Sequence, residues 1–421
     1  MSVDWRVALF ARRTIGVRLG LDAIERVLDA LLPGLRERPP FTVVQIVGTN
    51  GKGSTAAMLD HGLRQLGPGL GHEQGRGPVG LFTSPHLERI GERIRVDGQA
   101  IADEQVQAGV DRLAAVEATL GVALTFFEVL TAIALLRFVD AGCKVVVLEA
   151  GLGGRLDATS AVRADVVGFA RFGLDHQAYL GDTLEQIAAE KAAVIRRALP
   201  VFSVEQPTAA RLAIEDRARE FGAALSFVTP LAAPPVGLRG PHQRHNGALA
   251  LALLGQLVPA ATLAHLDGVR WAGRLEQVGV GDGELWLDVA HNLDGVEALC
   301  AALRGLLIWP DAIVFGTMAD KPAPAMAAML RELGPLWLVP PAGEGAYDLG
   351  GFAEPGEPRY SSAGDRALLD AMRRRLAAGA RLVVCGSHFL VGVIRAQLAP
   401  STAAGGVCLD GPELSDPVSR R

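Results

Sequence analysis

From Phe41 onward the chain alternates short β-branched and apolar runs with longer stretches whose apolar positions recur at helical spacing. That alternation predicts βαβ units and therefore parallel sheets. In the first half the strand candidates are Thr42 to Val47, Val79 to Thr83, Lys144 to Glu149, Asp165 to Ala170 and Pro200 to Val204. Helical patterns fall between them, among them Ser54 to Leu66, Asp103 to Leu120 and Thr183 to Arg196. In the second half, strands at Ala312 to Phe315, Leu336 to Val339 and Arg381 to Cys385 alternate with helices near Asp294 to Gly305, Pro322 to Leu333 and Asp365 to Ala377. Between the halves, Gln243 to Leu257 reads as a helix rich in alanine and leucine, and the Trp271-Ala272-Gly273-Arg274 turn marks a boundary.

The expected fold class is α/β: a P-loop ATPase domain with a mostly parallel sheet over residues 1–270, then a smaller Rossmann-like C-terminal α/β domain over 271–400. Residues 401–421 read as a tail without periodicity, and the Gly-rich segment Gly67 to Pro78 as accessory. Hydrophobic residues make up 49% of the 421, which is enough for sizeable cores and excludes a disordered chain. Cys143, Cys300, Cys385 and Cys408 are far apart and mostly in apolar runs, which predicts buried thiols in a reducing cytoplasm. A net charge of -5 with dispersed signs offers no basic stripe for nucleic acid. The longest apolar run, Phe126 to Val139, is interrupted by Glu128 and Arg137, so no membrane span is expected. The arginines near the N-terminus continue into a helical pattern with Asp4 and Asp22, which fits a first helix better than a presequence.

The strongest chemical signal is the run Val43 to Val47 leading into Gly48-Thr49-Asn50-Gly51-Lys52-Gly53-Ser54-Thr55. A buried strand feeding a glycine-rich turn that opens a helix brings main-chain N–H groups, the positive helix end and a lysine around phosphate oxygens. The pattern departs from the strict Walker A spacing, with Ile46 at the first glycine position and Gly53 between Lys52 and Ser54. Glu149 closes a buried strand ahead of Ala150-Gly151-Leu152-Gly153-Gly154-Arg155-Leu156-Asp157, at the sheet edge where such carboxylates hold magnesium. His176, in Gly173-Leu174-Asp175-His176, follows another strand and is expected at the same edge.

These motifs form part of a longer ordered set. Gly48 to Ser54, Thr83-Ser84-Pro85-His86-Leu87, Phe126-Phe127-Glu128, Glu149 to Thr159, Leu174-Asp175-His176, Ala189-Glu190-Lys191-Ala192, His242-Gln243-Arg244, Asp288 to Asn292 and Phe315 to Lys321 succeed one another along the chain. In that order they resemble the folylpolyglutamate synthases and dihydrofolate synthases of the Mur ligase superfamily, over a span from about Leu19 to Gly386-Ser387-His388.

The resemblance implies an ATP-dependent ligase that joins L-glutamate to dihydropteroate, and further to reduced folates, through an acyl phosphate formed in a cleft between the domains. It implies ATP and two Mg2+ sites, with room for a monovalent cation. Carried over, Thr49, Asn50, Gly51, Lys52, Gly53, Ser54, Asn246, Arg274 and Asp288 bind ATP. Ser84, Glu149, His176 and Lys191 hold metal. Lys52, His176 and Lys191 are catalytic, Lys191 as a carbamate. Leu21, Phe126, Phe127, Gly153 and Arg155 form the pterin pocket. The expected protein is a cytoplasmic monomer acting on small molecules, with neither nucleic acid nor membrane as partner.

Departures from the family pattern are Arg171-Phe172, Gln177, Leu293 and His245, and they bear on substrate preference more than on reaction class. Four other readings are weighed: a dedicated folylpolyglutamate synthase, another Mur-type amino-acid ligase, a P-loop kinase or switch, and a catalytically silent binding protein. The second α/β half and Asp288 to Asn292 speak against the kinase. Intact Lys52, Glu149, His176 and Lys191 also speak against a catalytically silent binding protein.

Overall fold

The computed structural model describes residues 4–16, 20–66, 77–341, 345–348 and 351–399. Leu19 and the tail after Ala399 therefore lie outside the described residues, as does most of the Gly67 to Pro78 segment. The chain divides into two compact units: Met1–Pro85, Ile90–Gly237 and Gln243–Val269 form the first, and His86–Arg89, Leu238–His242 and Arg270–Arg421 the second. The second unit thus takes in two short segments from within the span of the first.

In chain order the first unit comprises α1 (Trp5–Ala11), α2 (Asp22–Leu31), β1 (Thr42–Val47), α3 (Lys52–Gln65), β2 (Val79–Phe82), β3 (Ile94–Val96), β4 (Gln99–Ala100), α4 (Asp103–Leu120), α5 (Phe126–Asp140), β5 (Val145–Glu149), β6 (Val166–Phe169), α6 (Gln177–Leu180), α7 (Leu184–Ala192), β7 (Pro200–Ser203), α8 (Thr208–Phe221), β8 (Ala224–Phe227) and α9 (Gln243–Leu257). Its eight strands form one sheet in the order β4-β3-β2-β5-β1-β6-β7-β8. β2, β5, β1, β6, β7 and β8 run parallel, and β3 and β4 add an antiparallel edge.

Side-chain alternation assigns the two faces of this sheet. Val43, Val146 and Leu148 pack with residues of α2, α4 and α5, and farther along the same face Val47, Val167 and Phe169 pack with α7 and α8. Val44 and Ile46 point the other way, toward the side where α3 and α9 lie against each other. The apolar run from Phe126 is α5, a buried core helix. Thr125 and Glu128 close its first turn reciprocally, Thr125 N–H donating to Glu128 Oε2 at 2.7 Å and Glu128 N–H to Thr125 Oγ1 at 3.3 Å. Among the described residues no helix is long and apolar enough to cross a membrane.

The second unit comprises β9 (Glu276–Val280), β10 (Gly283–Leu287), α10 (Leu293–Gly305), β11 (Ala312–Phe315), α11 (Ala323–Arg331), β12 (Leu336–Leu338), α12 (Arg366–Ala377), β13 (Arg381–Cys385) and α13 (His388–Leu398). Its sheet order is β12-β11-β13-β10-β9, parallel except for β9. α10 and α11 cover one face and α12 and α13 the other. The β9–β10 hairpin, absent from the strand pattern of the sequence, turns at Gly281 (φ 61°) and Asp282, where glycines interrupt the apolar alternation. Cys143, Cys300 and Cys385 are buried and free.

Candidate active site

In the first unit the loops after β1, β2, β5 and β6 all leave the carboxyl edge of neighbouring parallel strands, the edge where open α/β sheets bind ligands. These loops carry Gly48 to Gly51, Ser84, Ala150 to Asp157 and Arg171 to His176.

The first loop is held by its neighbours. Thr49 and Asn50 N–H groups donate to Arg171 O at 2.8 and 3.1 Å, and Thr49 Oγ1 exchanges hydrogen bonds with Gly173. Gly51 is left-handed (φ 92°), and a Cβ there would lie 2.2 Å from Asn246 Oδ1, so conformation and space both demand glycine. Asn246 in turn donates to Gln243 Oε1 at 3.0 Å, and Gln243 Nε2 reaches Ser54 Oγ at 3.4 Å. Asn246 of α9 is thereby brought beside the loop that opens α3. Lys52 Nζ donates to the carbonyls of Gly48 and Thr49, both at 3.1 Å.

Lys191, in the last turn of α7, donates to the same Gly48 carbonyl at 3.1 Å. Two lysines thus meet at one acceptor. Burial first, and the charge of Lys52 second, bring the Lys191 ammonium down to about 7, while Asp175, Asp157 and Glu190 oppose the fall. An amine with that value is largely neutral just above pH 7 and so is nucleophilic, which an exposed lysine is not.

Glu149 is buried at the end of β5, where its Oε2 accepts the Ser84 N–H at 3.0 Å. This contact fixes Ser84 beside the carboxylate. His176 is exposed and left-handed (φ 53°), and its N–H donates to Asp175 Oδ1 at 2.9 Å.

Asp157 went unassigned in the sequence, yet it organises the loop after Glu149. Its buried carboxylate accepts the N–H groups of Gly151 at 2.9 Å, Leu152 at 2.8 Å and Thr159 at 3.0 Å, and the Thr159 hydroxyl as well. Burial raises its pKa against those hydrogen bonds. Asp175 is likewise buried, and its charge acts on Lys191. The signal available for both was a carboxylate at fixed spacing from a glycine-rich or histidine-bearing loop.

The residues expected around a pterin separate into distinct surroundings. Leu21 is buried in the core beside α2. Phe126 stacks on Phe10 at 5.8 Å, with the Arg13 guanidinium 4.8 Å and that of Arg93 5.4 Å from its ring. Arg93 is fully buried, and burial with the nearby charge of Arg13 lowers its pKa to about 9. Phe127 packs on Phe82 at 5.6 Å and lies against Gly151, where a Cβ would come within 2.6 Å of its ring. Gly153 is left-handed (φ 69°) with Leu180 adjacent, while Arg155 is exposed and paired with Glu190 at 3.1 Å. Arg13 and Arg93 were not singled out in the sequence, because guanidinium over an aromatic ring is a tertiary feature.

In the second unit, Asp288 follows β10 and is buried. Its Oδ2 accepts Leu275 N–H and its Oδ1 accepts Ala290 N–H, both at 2.8 Å. Burial raises its pKa, and the charge of Arg274 opposes that rise. Arg274 lies in the turn that Asp288 ties down.

The profile of the Mur ligase glutamate ligase domain matches residues 273–388. The Yersinia pestis bifunctional folylpolyglutamate synthase/dihydrofolate synthase, solved with AMPPNP and Mn ion, superposes with a TM-score of 0.79 at 30% identity, over 94% of this chain and 97% of that one. The chain belongs to the folylpolyglutamate synthase/dihydrofolate synthase family. E. coli FolC, another structure similar to this one and solved with DHPP and ADP, gives a TM-score of 0.79 at 28% identity, over 94% of this chain and 97% of that one. A curated relative from Haloferax volcanii, a probable bifunctional folylpolyglutamate synthase/dihydropteroate synthase, is 33% identical over 77% of this chain and 41% of its own length. The Saccharomyces cerevisiae folylpolyglutamate synthase is 30% identical over 63% of this chain and 54% of its own length. The chain therefore spans about half the length of these curated family members.

Proposed function

We propose that this chain is an ATP-dependent carboxylate–amine ligase that joins L-glutamate to dihydropteroate and, with the same machinery, to reduced folates. The observation that carries the reading is the pair of lysine side chains, Lys52 and Lys191, on one carbonyl of a glycine-rich loop. In the reaction, a carboxylate oxygen of the pterin substrate attacks the γ-phosphorus of ATP, ADP leaves, and an acyl phosphate forms. The glutamate amine then attacks the acyl carbon and phosphate departs. Lys52 balances negative charge on the transferring phosphoryl group, while the N–H groups at the start of α3 receive phosphate oxygens. Arg274 and Asp288 are assigned to nucleotide, Arg274 by charge and Asp288 by fixing the turn that bears it.

Lys191 is assigned a carbamate. Its neutral amine attacks carbon dioxide, a C–N bond forms and a proton is released, so a neutral amine becomes an anion beside Lys52. Glu149, the Ser84 hydroxyl and that carbamate would supply hard oxygen donors of the kind that suit magnesium, and His176 would add a nitrogen. Bound there, the ion supplies further charge neutralisation at the phosphates. We place the reaction in the cytoplasm, in keeping with the free buried thiols, and take one chain as the active species.

The test is phosphate release by purified protein with ATP and magnesium, comparing dihydropteroate with reduced folates, each with and without glutamate. Release that requires glutamate and either pterin acid is expected. Release indifferent to glutamate would overturn the ligase reading, and response to reduced folates alone would make the protein a dedicated folylpolyglutamate synthase.

A further inference from the structure

The turn that carries Arg274 places left-handed residues on both sides of it, Gly273 (φ 68°) and Leu275 (φ 45°). A leucine in that region is strained, so the turn keeps its shape only if its surroundings hold it. Three hydrogen bonds do so: Leu275 N–H to Asp288 Oδ2 at 2.8 Å, Val289 N–H to Gly273 O at 2.9 Å, and Gly273 N–H to Glu276 Oε2 at 2.9 Å. The first two tie the turn to the end of β10. The third depends on a side chain that must itself be kept in place.

Glu276 is kept in place by Arg395 of α13. Arg395 Nε lies 3.0 Å from Glu276 Oε2 and 3.2 Å from Oε1, and Nη2 lies 3.0 Å from Oε1. Its remaining arm, Nη1, donates to Glu88. Side-chain exposures of 19% for Arg395, 22% for Glu276 and 10% for Glu88 shield the cluster from water, where an ion pair counts for more than on an open surface. Burial alone would lower the pKa of Arg395, but the hydrogen bonds and charges of Glu276 and Glu88 raise it overall.

The two arms of this guanidinium serve different segments. The Glu276 arm ends at the Gly273 amide and hence at the arginine turn. The Glu88 arm ends on the His86–Arg89 segment, whose Leu87 carbonyl is so close to α13 that a Cβ on Gly392 would lie 2.2 Å from it.

We propose that Arg395 is a positioning residue for nucleotide binding: it locks Glu276, Glu276 locks the Gly273 amide, and the locked turn presents Arg274 to the polyphosphate of ATP. This rests on the ligase reading above and names a determinant of its nucleotide affinity. Lysine cannot replace it, since one ammonium has no planar fork to span both oxygens of Glu276 and reach Glu88.

The test compares Arg395→Leu, Glu276→Ala and Glu88→Ala with the wild type, each checked for folding by circular dichroism and thermal midpoint. Affinity for a nonhydrolysable ATP analogue is measured directly, and KM for ATP and for glutamate alongside kcat. Arg395→Leu and Glu276→Ala should weaken analogue binding and raise KM for ATP about tenfold, with kcat at saturating ATP and KM for glutamate changed less than about threefold. Glu88→Ala should leave analogue affinity within about twofold. Should Arg395→Leu fail to fold, Glu276→Ala carries the comparison, because it removes the hydrogen bond to Gly273 and leaves α13 intact. Unchanged analogue affinity in a folded Arg395→Leu or Glu276→Ala protein, or an equal loss in Glu88→Ala, overturns the proposal while leaving the ligase reading in place. A wild-type protein that binds no ATP analogue overturns both.

Discussion

The phosphate loop of the first unit and the Arg274 turn of the second each hold a cation where a strand ends, but they are stiffened by different forces. The Gly48 to Ser54 loop is shaped by close approach. Gly51 leaves no room for a Cβ against Asn246, and the Thr49 and Asn50 N–H groups are fastened to Arg171 O. The Arg274 turn is instead shaped by carboxylates, Asp288 and Glu276, that draw main-chain N–H groups into a strained conformation. Packing of the first kind depends little on salt or pH, whereas a carboxylate clamp weakens when its acids are protonated. The cations should differ accordingly: Lys52 sits among the loop carbonyls and is assigned to charge that develops during transfer, while Arg274 is assigned to holding the nucleotide.

That contrast can be broken most directly at Lys52. Lys52→Ala should lower kcat by about 10³-fold with the fold intact, because the missing charge acts on the transferring phosphoryl group. Steady-state turnover near wild type in a folded variant would remove the phosphate site. Next in size, Lys191→Ala should lower turnover by about 10²-fold and regain part of it in high acetate, which substitutes for the carbamate oxygens. Activity without any loss, or a loss that acetate leaves untouched, would contradict the carbamate. Arg274→Ala should raise KM for ATP about tenfold with kcat little changed, the opposite split from Lys52→Ala. A pure kcat defect there would erase the distinction between the two cations.

The smallest effect sharpens the comparison through pH. Lys191 falls from 10.5 to about 7 in the folded protein, so between those values the unfolded chain holds a proton that the native one lacks. Stability contributed by this site therefore rises with pH across that window, and the cost of burying the ammonium is fully present below about 7. In buffer free of carbon dioxide, Lys191→Met should raise the thermal midpoint most below about 7, and the gain should shrink toward 10.5. A midpoint difference that is flat with pH would mean that the lysine is not desolvated.

The phosphate loop was legible because its physics is local: a strand, glycines, a lysine and a helix start within fifteen residues of one another. β1, α4, α9, β11 and β13 stand at the bounds their apolar patterns predict. The β9–β10 hairpin and β8 were not legible, since glycines break one alternation and β8 is only half covered. Glu149 and His176 could be named from their positions after strands, but Asp157 and Asp175 act through burial that no spacing displays. Arg13 and Arg93 over Phe126, and Arg395 on Glu276, join residues remote in the chain. Composition marks such residues as ordinary surface arginines until the fold brings their partners to them.

The His86–Arg89 and Leu238–His242 segments make the second unit a threaded object rather than a bead on a string. A fragment cut at Arg270 would lack the peptide whose Leu87 carbonyl rests against Gly392 and the carboxylate that occupies one arm of Arg395. Its α13 would carry a vacant seat, and a synthetic peptide spanning His86 to Arg89 would be the natural piece to fill it. Modular cloning, in which one catalytic half is swapped for a relative's, would therefore need five joints in register instead of one.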